Sequence, residues 1–186
     1  MRVLGISGSL RQDSHNTELL RAAAALLPSE AEFEVWEGLK AIPPYDADDD
    51  DGLESRPESL RSLADAVDWA DVVLFSTPEY NHSIPGALKN ALDWLSRPLA
   101  ESPLRSKPVA VVGASTGLFG AVWAQAELRK VLGAIGARVS DRELPVGLAA
   151  YAFNPEGRLA DPDLELVLAD LLAELQGEVA PVPAAA

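Results

Sequence analysis

The first strand–loop–helix unit constrains the fold most, because it places a polar loop between a buried strand and a helix. Val3-Leu4-Gly5-Ile6 is an apolar run typical of a parallel strand that is covered on both faces. The Ala- and Leu-rich segment that ends at Leu27 predicts a helix beginning near Asn16. In open α/β sheets, ligands bind at loops of this kind, beyond the carboxyl ends of the strands.

The connecting loop is rich in small hydroxyl side chains and carries one arginine, Arg11. A helix N-terminus presents unpaired N–H groups and the positive end of the helix dipole, so it favours an anion. Hydroxyl groups and a guanidinium around it can hold a phosphate through charge-assisted hydrogen bonds. The loop has neither the lysine of a P-loop nor the glycine spacing of a dinucleotide fingerprint. Ser and Asn are also common helix caps, so the loop alone leaves a phosphate site and an ordinary capped turn both open.

The rest of the chain alternates predicted strands and helices. The predicted strands cover about residues 2–6, 32–37, 71–75, 107–113 and 137–140, and the predicted helices cover about 16–27, 58–69, 86–96, 122–135 and 162–175. With right-handed crossovers, this pattern predicts a flavodoxin-like, doubly wound α/β fold whose five-stranded parallel sheet has the order 2-1-3-4-5. The length of 186 residues fits one domain, which we place at residues 1–176, followed by a disordered tail over 177–186.

Two further polar loops follow the third and fourth predicted strands. The loop after the third strand carries Pro78 and Pro85, which restrict its path, and Tyr80 and Asn81, which suit a planar polar ring. The loop after the fourth strand, residues 113–120, is built of small residues that let a flat ligand approach the backbone. Because strands 1, 3 and 4 are adjacent in this order, the three loops converge. They predict a mononucleotide site, with FMN as the candidate ligand.

Two motifs give the chain a specific resemblance to the NADPH-dependent FMN reductase family, which includes chromate, quinone and azoreductase-like proteins. The segments are Gly8-Ser9-Leu10-Arg11…Ser14…Asn16 and Pro78-Glu79-Tyr80-Asn81…Ser83-Ile84-Pro85-Gly86…Leu88-Lys89-Asn90…Asp93-Trp94. The likeness covers residues 2–140. It implies that the FMN phosphate is held by Ser9, Arg11, Ser14, Asn16 and Thr17. It also implies that the isoalloxazine ring lies along Pro78, Glu79, Tyr80 and Asn81, and is closed on its other side by Ser115 and Gly117.

The third loop departs from the family pattern. Leu118, Ala121 and Trp123 stand where members of the family usually have arginine, glycine and arginine. We expect FMN binding to survive this change. The contacts to the 2′-phosphate of NADPH, or a contact between subunits, are expected to be weaker.

Composition excludes several other classes of protein. The chain has no cysteine, which excludes disulfides, thiolate metal sites and thiol catalysis. Its net charge of −14 argues against nucleic acid and acidic membranes as partners, although Arg105 and Lys107 are local exceptions that could meet an anionic ligand. No apolar run is long enough to span a bilayer and no signal h-region is present, so we expect a cytoplasmic protein. The Asp-rich loop before residue 58 has acidic residues at spacings reminiscent of a calcium loop. Ala47 stands at the first ligand position, however, Pro57 lies within the loop and no predicted helix precedes it, so we expect the loop to be solvated.

The sequence therefore predicts an FMN-dependent oxidoreductase that takes electrons from NADH or NADPH. The flavin carries the chemistry, so no catalytic side chain and no metal are expected. The resemblance implies quinones, azo compounds, metal oxyanions or free flavin as acceptors, and a homodimer or homotetramer. We expect a ping-pong reaction, because one shared pocket above the flavin cannot hold the nicotinamide and the quinone together. A flavodoxin-type electron carrier or a noncatalytic FMN sensor stays open as the alternative. Glu79 is expected to cap backbone N–H groups, His15 and His82 to be noncatalytic, and Trp69 and Trp94 to pack in the core.

Overall fold

Six strands and five helices form the part of the chain that the computed structural model describes, residues 1–50, 52 and 55–179. The strands are β1 (Arg2–Ser7), β2 (Glu32–Trp36), β3 (Val72–Ser76), β4 (Pro108–Ala114), β5 (Arg138–Val139) and β6 (Pro145–Val146). The helices are α1 (His15–Leu26), α2 (Glu58–Trp69), α3 (Gly86–Leu95), α4 (Val122–Ile135) and α5 (Pro162–Val179).

The strands pair in the order β2-β1-β3-β4-β5, and each pair is parallel. This confirms the predicted flavodoxin-like, doubly wound fold. The short strand β6 was not predicted from the sequence. It pairs with the end of β4, where Gly113 lies opposite Pro145 and Ala114 opposite Val146. Two residues are too few to show the period-2 pattern by which a strand is recognised.

Two hydrophobic cores lie on opposite faces of the sheet, because successive strand side chains point to opposite sides. Val73 and Phe75 of β3 enter the core that α2, α3 and α4 cover, whereas Val72 and Leu74 enter the core that α1 and α5 cover. All five residues of β3 and all seven of β4 are buried. Helices on both faces therefore explain why these strands are continuous apolar runs.

The tryptophans that were predicted to pack in the core do so. Trp94 is buried, and its indole N–H donates to the carbonyl oxygen of Pro43 at 3.0 Å. The Tyr45 ring meets it edge-on, with the ring centres 4.8 Å apart. Trp69 packs against the same core, and the guanidinium of Arg2 lies 5.7 Å from its ring centre.

Helix α5 continues to Val179, beyond the predicted end at residue 175. Val179 packs against the core, and Glu178 pairs with Arg138 at 3.4 Å, so the last helical turn has tertiary contacts. Residues 177–179 of the predicted tail are therefore helical, and residues 180–186 lie outside the described residues. Within the described part of the chain, no helix is long and apolar enough to cross a membrane.

Arg56 anchors the acidic loop before α2. The nearly buried Arg56 guanidinium donates to Asp50 Oδ1 at 2.8 Å and to the Arg97 carbonyl oxygen at 2.7 Å. It also lies 5.8 Å from the Trp94 ring centre. Residues 51, 53 and 54 lie outside the described set, and no group of three or more His, Cys, Asp or Glu suited to a metal is found in the rest.

Candidate functional site

The loops after β1, β3 and β4 meet around a cavity of about 170 Å³. Most of the predicted site residues line it, namely Ser9, Arg11, Ser14, Asn16, Pro78, Glu79, Tyr80 and Ser115. Thr17 is buried and faces a neighbouring cavity of about 370 Å³ beside the end of β2. Asn81 and Gly117 belong to the same loops but do not line the smaller cavity. A larger cavity, of about 620 Å³, lies between β5 and α5. We therefore choose the candidate site by the chemistry of its lining residues and not by cavity volume.

The loop after β1 uses its hydroxyl groups to shape its own turn. Ser14 is the N-cap of α1, and its Oγ accepts the N–H of Asn16 at 3.2 Å. Ser9 Oγ accepts the N–H of Arg11 at 3.3 Å. A hydroxyl that accepts in this way still has its own hydrogen to donate. Capping and phosphate binding are therefore compatible in this loop.

Arg11 is exposed, and its guanidinium folds back over the loop. Nε donates to the carbonyl oxygen of Asp13 at 3.0 Å, and Nη2 donates to the same oxygen. A guanidinium has five N–H donors, so these two contacts leave donors for an anion. Arg11 is the cation that lines the cavity.

Asn16 joins the three structural parts of the site. Its side chain donates from Nδ2 to the Ala114 carbonyl oxygen at 3.0 Å. Its Oδ1 accepts the Ala114 N–H at 3.0 Å and the Ser76 hydroxyl at 2.9 Å. The residue is only 3% exposed. These bonds hold the start of α1 against the ends of β3 and β4, so Asn16 positions the loops.

The loop after β3 contains a tight two-residue turn. The N–H and carbonyl groups of Tyr80 and Ser83 exchange hydrogen bonds of 3.0 and 3.1 Å. Between them, Asn81 and His82 have φ angles of 54° and 61°. Two positive φ angles at the central positions are typical of a type I′ turn, and Asn tolerates that conformation well. The turn presents the Tyr80 ring at the cavity, with 54% of the residue exposed.

Glu79 connects this loop to the first turn of α4. Its Oε2 accepts the backbone N–H groups of Trp123 and Ala124 at 3.1 and 3.2 Å. Its Oε1 lies 3.5 Å from His82 Nδ1. Ala121, the N-cap residue of α4, has no side chain that could cap the helix. Glu79 therefore replaces the missing cap from a different loop, which confirms the predicted capping role.

The loop after β4 is braced by the segment around β6. Ser115 N–H donates to the Val146 carbonyl oxygen at 3.0 Å, and Leu148 N–H donates to the Gly117 carbonyl oxygen at 2.9 Å. A Cβ added at Gly147 would stand 2.3 Å from the Leu118 carbonyl oxygen. The backbones therefore approach so closely that only glycine fits.

Arg105 and Lys107 lie at the wrong end of β4 to serve this site. They precede the strand, whereas the third loop follows it, and a strand of seven residues spans roughly 20 Å. Lys107 Nζ donates to the Ala70 carbonyl oxygen at 2.7 Å, and burial lowers the pKa of its ammonium group. These two cations are therefore not placed to contact a ligand of the three loops, and the expectation that they meet an anionic ligand elsewhere stays a prediction.

The two histidines occupy the edges of the site. His15 Nδ1 lies 3.3 Å from Glu18 Oε2, and its ring is parallel to Phe153 at 6.4 Å. The exposed His82 ring meets Trp123 edge-on at 4.7 Å. Both rings therefore have partners within the protein.

The donor set of the cavity fits FMN. One end has a helix N-terminus, two serine hydroxyls and a guanidinium, which together suit a phosphate monoester. The other end has proline, tyrosine and loop backbone, which suit a planar heterocycle.

Comparisons with known proteins agree with this chemistry. Residues 1–150 match the profile of the NADPH-dependent FMN reductase family. The chain is 38% identical over 177 residues to an NAD(P)H-dependent FMN reductase of Pseudomonas aeruginosa, covering 95% of this chain and 94% of the relative. It is 39% identical over 157 residues to a quinone reductase of Escherichia coli, covering 84% and 82%. The solved structure of a flavoenzyme NAD(P)H:(acceptor) oxidoreductase from Paracoccus denitrificans has a TM-score of 0.81 and 33% identity, covering 96% of both chains. The family match over residues 1–150 contains all three loops.

Proposed function

This chain belongs to the NADPH-dependent FMN reductase family, and from that membership we propose how its site works and which acceptors it reduces. It is an FMN-dependent oxidoreductase that uses NAD(P)H. The observation that carries the proposal is the convergence of the loops after β1, β3 and β4 on one cavity with phosphate chemistry at one end and ring chemistry at the other.

In this proposal, the loop after β1 holds the FMN phosphate. Ser9 and Ser14 donate hydroxyl hydrogens, Arg11 supplies the positive charge, and the N-terminus of α1 supplies backbone N–H groups. Thr17 supports this loop from the neighbouring cavity, and Asn16 keeps it against the sheet.

The other two loops enclose the ring. Pro78, Tyr80 and Asn81 run along one side of it, with Glu79 holding their loop to α4. Ser115 and Gly117 close the other side, where Ser115 Oγ accepts the Gly117 N–H at 3.1 Å. When bound, FMN supplies the chemistry by passing on the two electrons that NAD(P)H delivers as hydride. The protein contributes position, electrostatics and exclusion of water.

The acceptors we propose are quinones, azo compounds, metal oxyanions and free flavin. A quinone takes up two electrons and two protons to become the hydroquinone; NAD(P)H provides the electrons with one proton, and solvent provides the other. We propose that donor and acceptor reach the flavin through a shared opening, between the loop of Tyr80 and the loop of Ser115, and so bind there in turn. Initial rates at several quinone concentrations should give parallel double-reciprocal lines, the ping-pong pattern. Intersecting lines would require donor and acceptor to bind together and would contradict a shared opening.

A visible spectrum of the purified protein, before and after anaerobic addition of NADH or NADPH, tests the assignment of the site. We expect a flavin spectrum that bleaches with the nicotinamide and returns with a quinone. A bound flavin that stays oxidised would instead support the electron carrier or the FMN sensor. A colourless protein that takes up no FMN would contradict the cofactor site altogether.

We also propose that the chain acts as one domain that extends past the expected boundary at residue 176 to the end of α5 at Val179, since both cores share the same sheet. We propose a homodimer or homotetramer in the cytoplasm. Sedimentation velocity would measure the assembly, and cell fractionation the location.

A further inference from the structure

The rim of the proposed opening is an exposed aromatic shelf, which we define as Leu118, Phe119, Trp123 and His82. Leu118 is 74% exposed, Phe119 64% and Trp123 43%. The Phe119 and Trp123 rings meet edge-on with centres 5.2 Å apart, and the Trp123 and His82 rings meet edge-on at 4.7 Å. These contacts join Phe119, Trp123 and His82 into one surface, and Leu118 directly precedes Phe119 in the chain.

The shelf is continuous with the cavity. The backbone N–H of Trp123 is bound to Glu79, which lies between Pro78 and Tyr80 of the cavity lining. Leu118 and Phe119 follow Ser115 and Thr116, which also line the cavity. The shelf therefore adjoins the two loops that line the ring end of the cavity.

Fixed positive charge is missing from both loops that form this opening. Residues 76–83 and 113–124 contain no lysine and no arginine, and they do contain the carboxylate of Glu79. Arg11 stands at the opposite, phosphate end of the cavity. The protein as a whole carries a net charge of −14, so a negative charge carried on an acceptor's own ring meets repulsion that no lysine or arginine of these two loops offsets. The phosphates of NAD(P)H, by contrast, lie away from its nicotinamide ring.

Resting on the proposed function, we propose that the shelf selects uncharged, multi-ring aromatic acceptors and disfavours anionic ones. A neutral fused ring gains contact area and edge-to-face contacts from Phe119 and Trp123. An acceptor that carries a sulfonate makes no more ring contacts than the neutral ring does, and a metal oxyanion makes none. The negative charge of either is repelled by the Glu79 carboxylate and by the negative surface of the protein. Among the acceptor classes proposed above, metal oxyanions are therefore the poorest substrates of this chain and neutral naphthoquinones the best.

The test compares 1,4-naphthoquinone with 1,4-naphthoquinone-2-sulfonate on the FMN-loaded, oxidised protein. Binding is measured as the equilibrium Kd from the flavin difference spectrum, because the sulfonate also changes the potential of the quinone and would complicate a comparison of rates. No electron donor is present, so the outcome is independent of the kinetics that test the proposed function. We expect the neutral quinone to bind at least about fivefold more tightly, the factor that roughly one unit-charge contact in water gives. This ratio should shrink as ionic strength rises.

Three variants locate the effect. Phe119→Ala should weaken binding of the neutral quinone by about two- to tenfold. Trp123→Arg should strengthen binding of the sulfonate about fivefold or more, because it places a cation on the shelf while the backbone N–H that Glu79 accepts is kept. Leu166→Arg is the matched control, since Leu166 is exposed on α5 and the substitution adds the same charge away from the opening. It should leave the ratio of the two Kd values unchanged.

Several results would overturn the proposal. Equal Kd values for the two quinones in the unmodified protein would do so. So would a Trp123→Arg variant that changes the ratio no more than Leu166→Arg does. If Phe119→Ala alters the sedimentation coefficient and leaves both Kd values unchanged, the shelf is an interface between subunits and not an acceptor surface.

Discussion

The link between Glu79 and α4 gives the sharpest prediction for stability. Glu79→Ala removes the acceptor of two backbone N–H groups at 3.1 and 3.2 Å from a helix that has no other side-chain cap. Losing an N-cap costs about 0.5–2 kcal/mol, and losing a carboxylate near a helix N-terminus costs a further 0.3–1 kcal/mol or so. The glutamate side chain is 14% exposed, but the N–H of Trp123 lies at an exposed residue that water can reach. We therefore expect the free energy of unfolding to fall by about 1–2 kcal/mol.

The assay is urea denaturation of the FMN-free and FMN-loaded protein. Glu79→Gln should lie between the wild type and Glu79→Ala, because its amide oxygen still accepts hydrogen bonds while the charge is lost. Glu127→Ala is the control, since Glu127 belongs to α4 itself and its loss removes one negative charge near this helix without removing the cap. If the two alanine variants have equal denaturation midpoints, the capping argument is wrong.

The same variant should affect cofactor binding in a recognisable way. Glu79 holds the loop of Pro78 and Tyr80, at the proposed ring end of the cavity. Affinities for FMN and riboflavin should therefore fall by the same factor in Glu79→Ala. A loss confined to FMN would place the effect at the phosphate and would refute the assigned position of the loop.

Three more predictions concern charge. Arg11→Ala removes a charged hydrogen bond worth roughly 1.5–3 kcal/mol, so the FMN Kd should rise about ten- to hundredfold while the riboflavin Kd stays the same; equal losses for both would contradict the phosphate assignment. Leu118 and Trp123 stand where the family usually has arginine, so kcat/KM should be similar for NADPH and NADH. Substituting arginine at both positions should raise kcat/KM for NADPH relative to NADH, and a strong NADPH preference in the unmodified protein would contradict this. Hydrogen bonds from the Arg2 backbone N–H and guanidinium lower the pKa of Asp71. At pH values above the ordinary pKa near 3.8, ionised Asp71 therefore stabilises the fold, and this stabilisation is lost as the pH falls through the lowered pKa. Asp71→Asn should therefore be less stable than wild type in urea at neutral pH, with the difference closing in acid; a constant difference would refute the linkage.

The fold was predictable because its signals are local. Helices α2 and α4 begin and end where the sequence predicts, at Glu58–Trp69 and Val122–Ile135. Strands buried on both faces must be apolar throughout, and turn residues separate them from the helices. Strand β6 has no such signal, because Pro145 and Val146 are ordered by pairing with β4 and not by their own pattern.

Asn16 shows where chemistry alone is ambiguous. An amide at the start of a helix can cap, bind phosphate or hold a neighbouring strand, and all three uses need the same donor and acceptor. Its contacts with Ala114 and Ser76 join residues that are far apart in the sequence, so only the three-dimensional structure distinguishes these uses. Arg105 and Lys107 are different, because the sequence did contain the relevant signal. In a parallel sheet, residues that precede a strand lie at the amino ends of the strands, and residues that follow a strand lie at the carboxyl ends.

Glu79 lies between these two cases. Its role as a cap was predictable, because a carboxylate in a loop is a good acceptor for backbone N–H groups. Its partner was not, because Ala121 occupies the N-cap position of α4 and nothing local indicates that the cap comes from 42 residues earlier. Sheet order supplies the missing step, since adjacent β3 and β4 bring the ends of their loops together. A carboxylate fixed in this way also keeps a negative charge at the opening, so one residue stabilises the helix and contributes to the charge selection that we propose for acceptors.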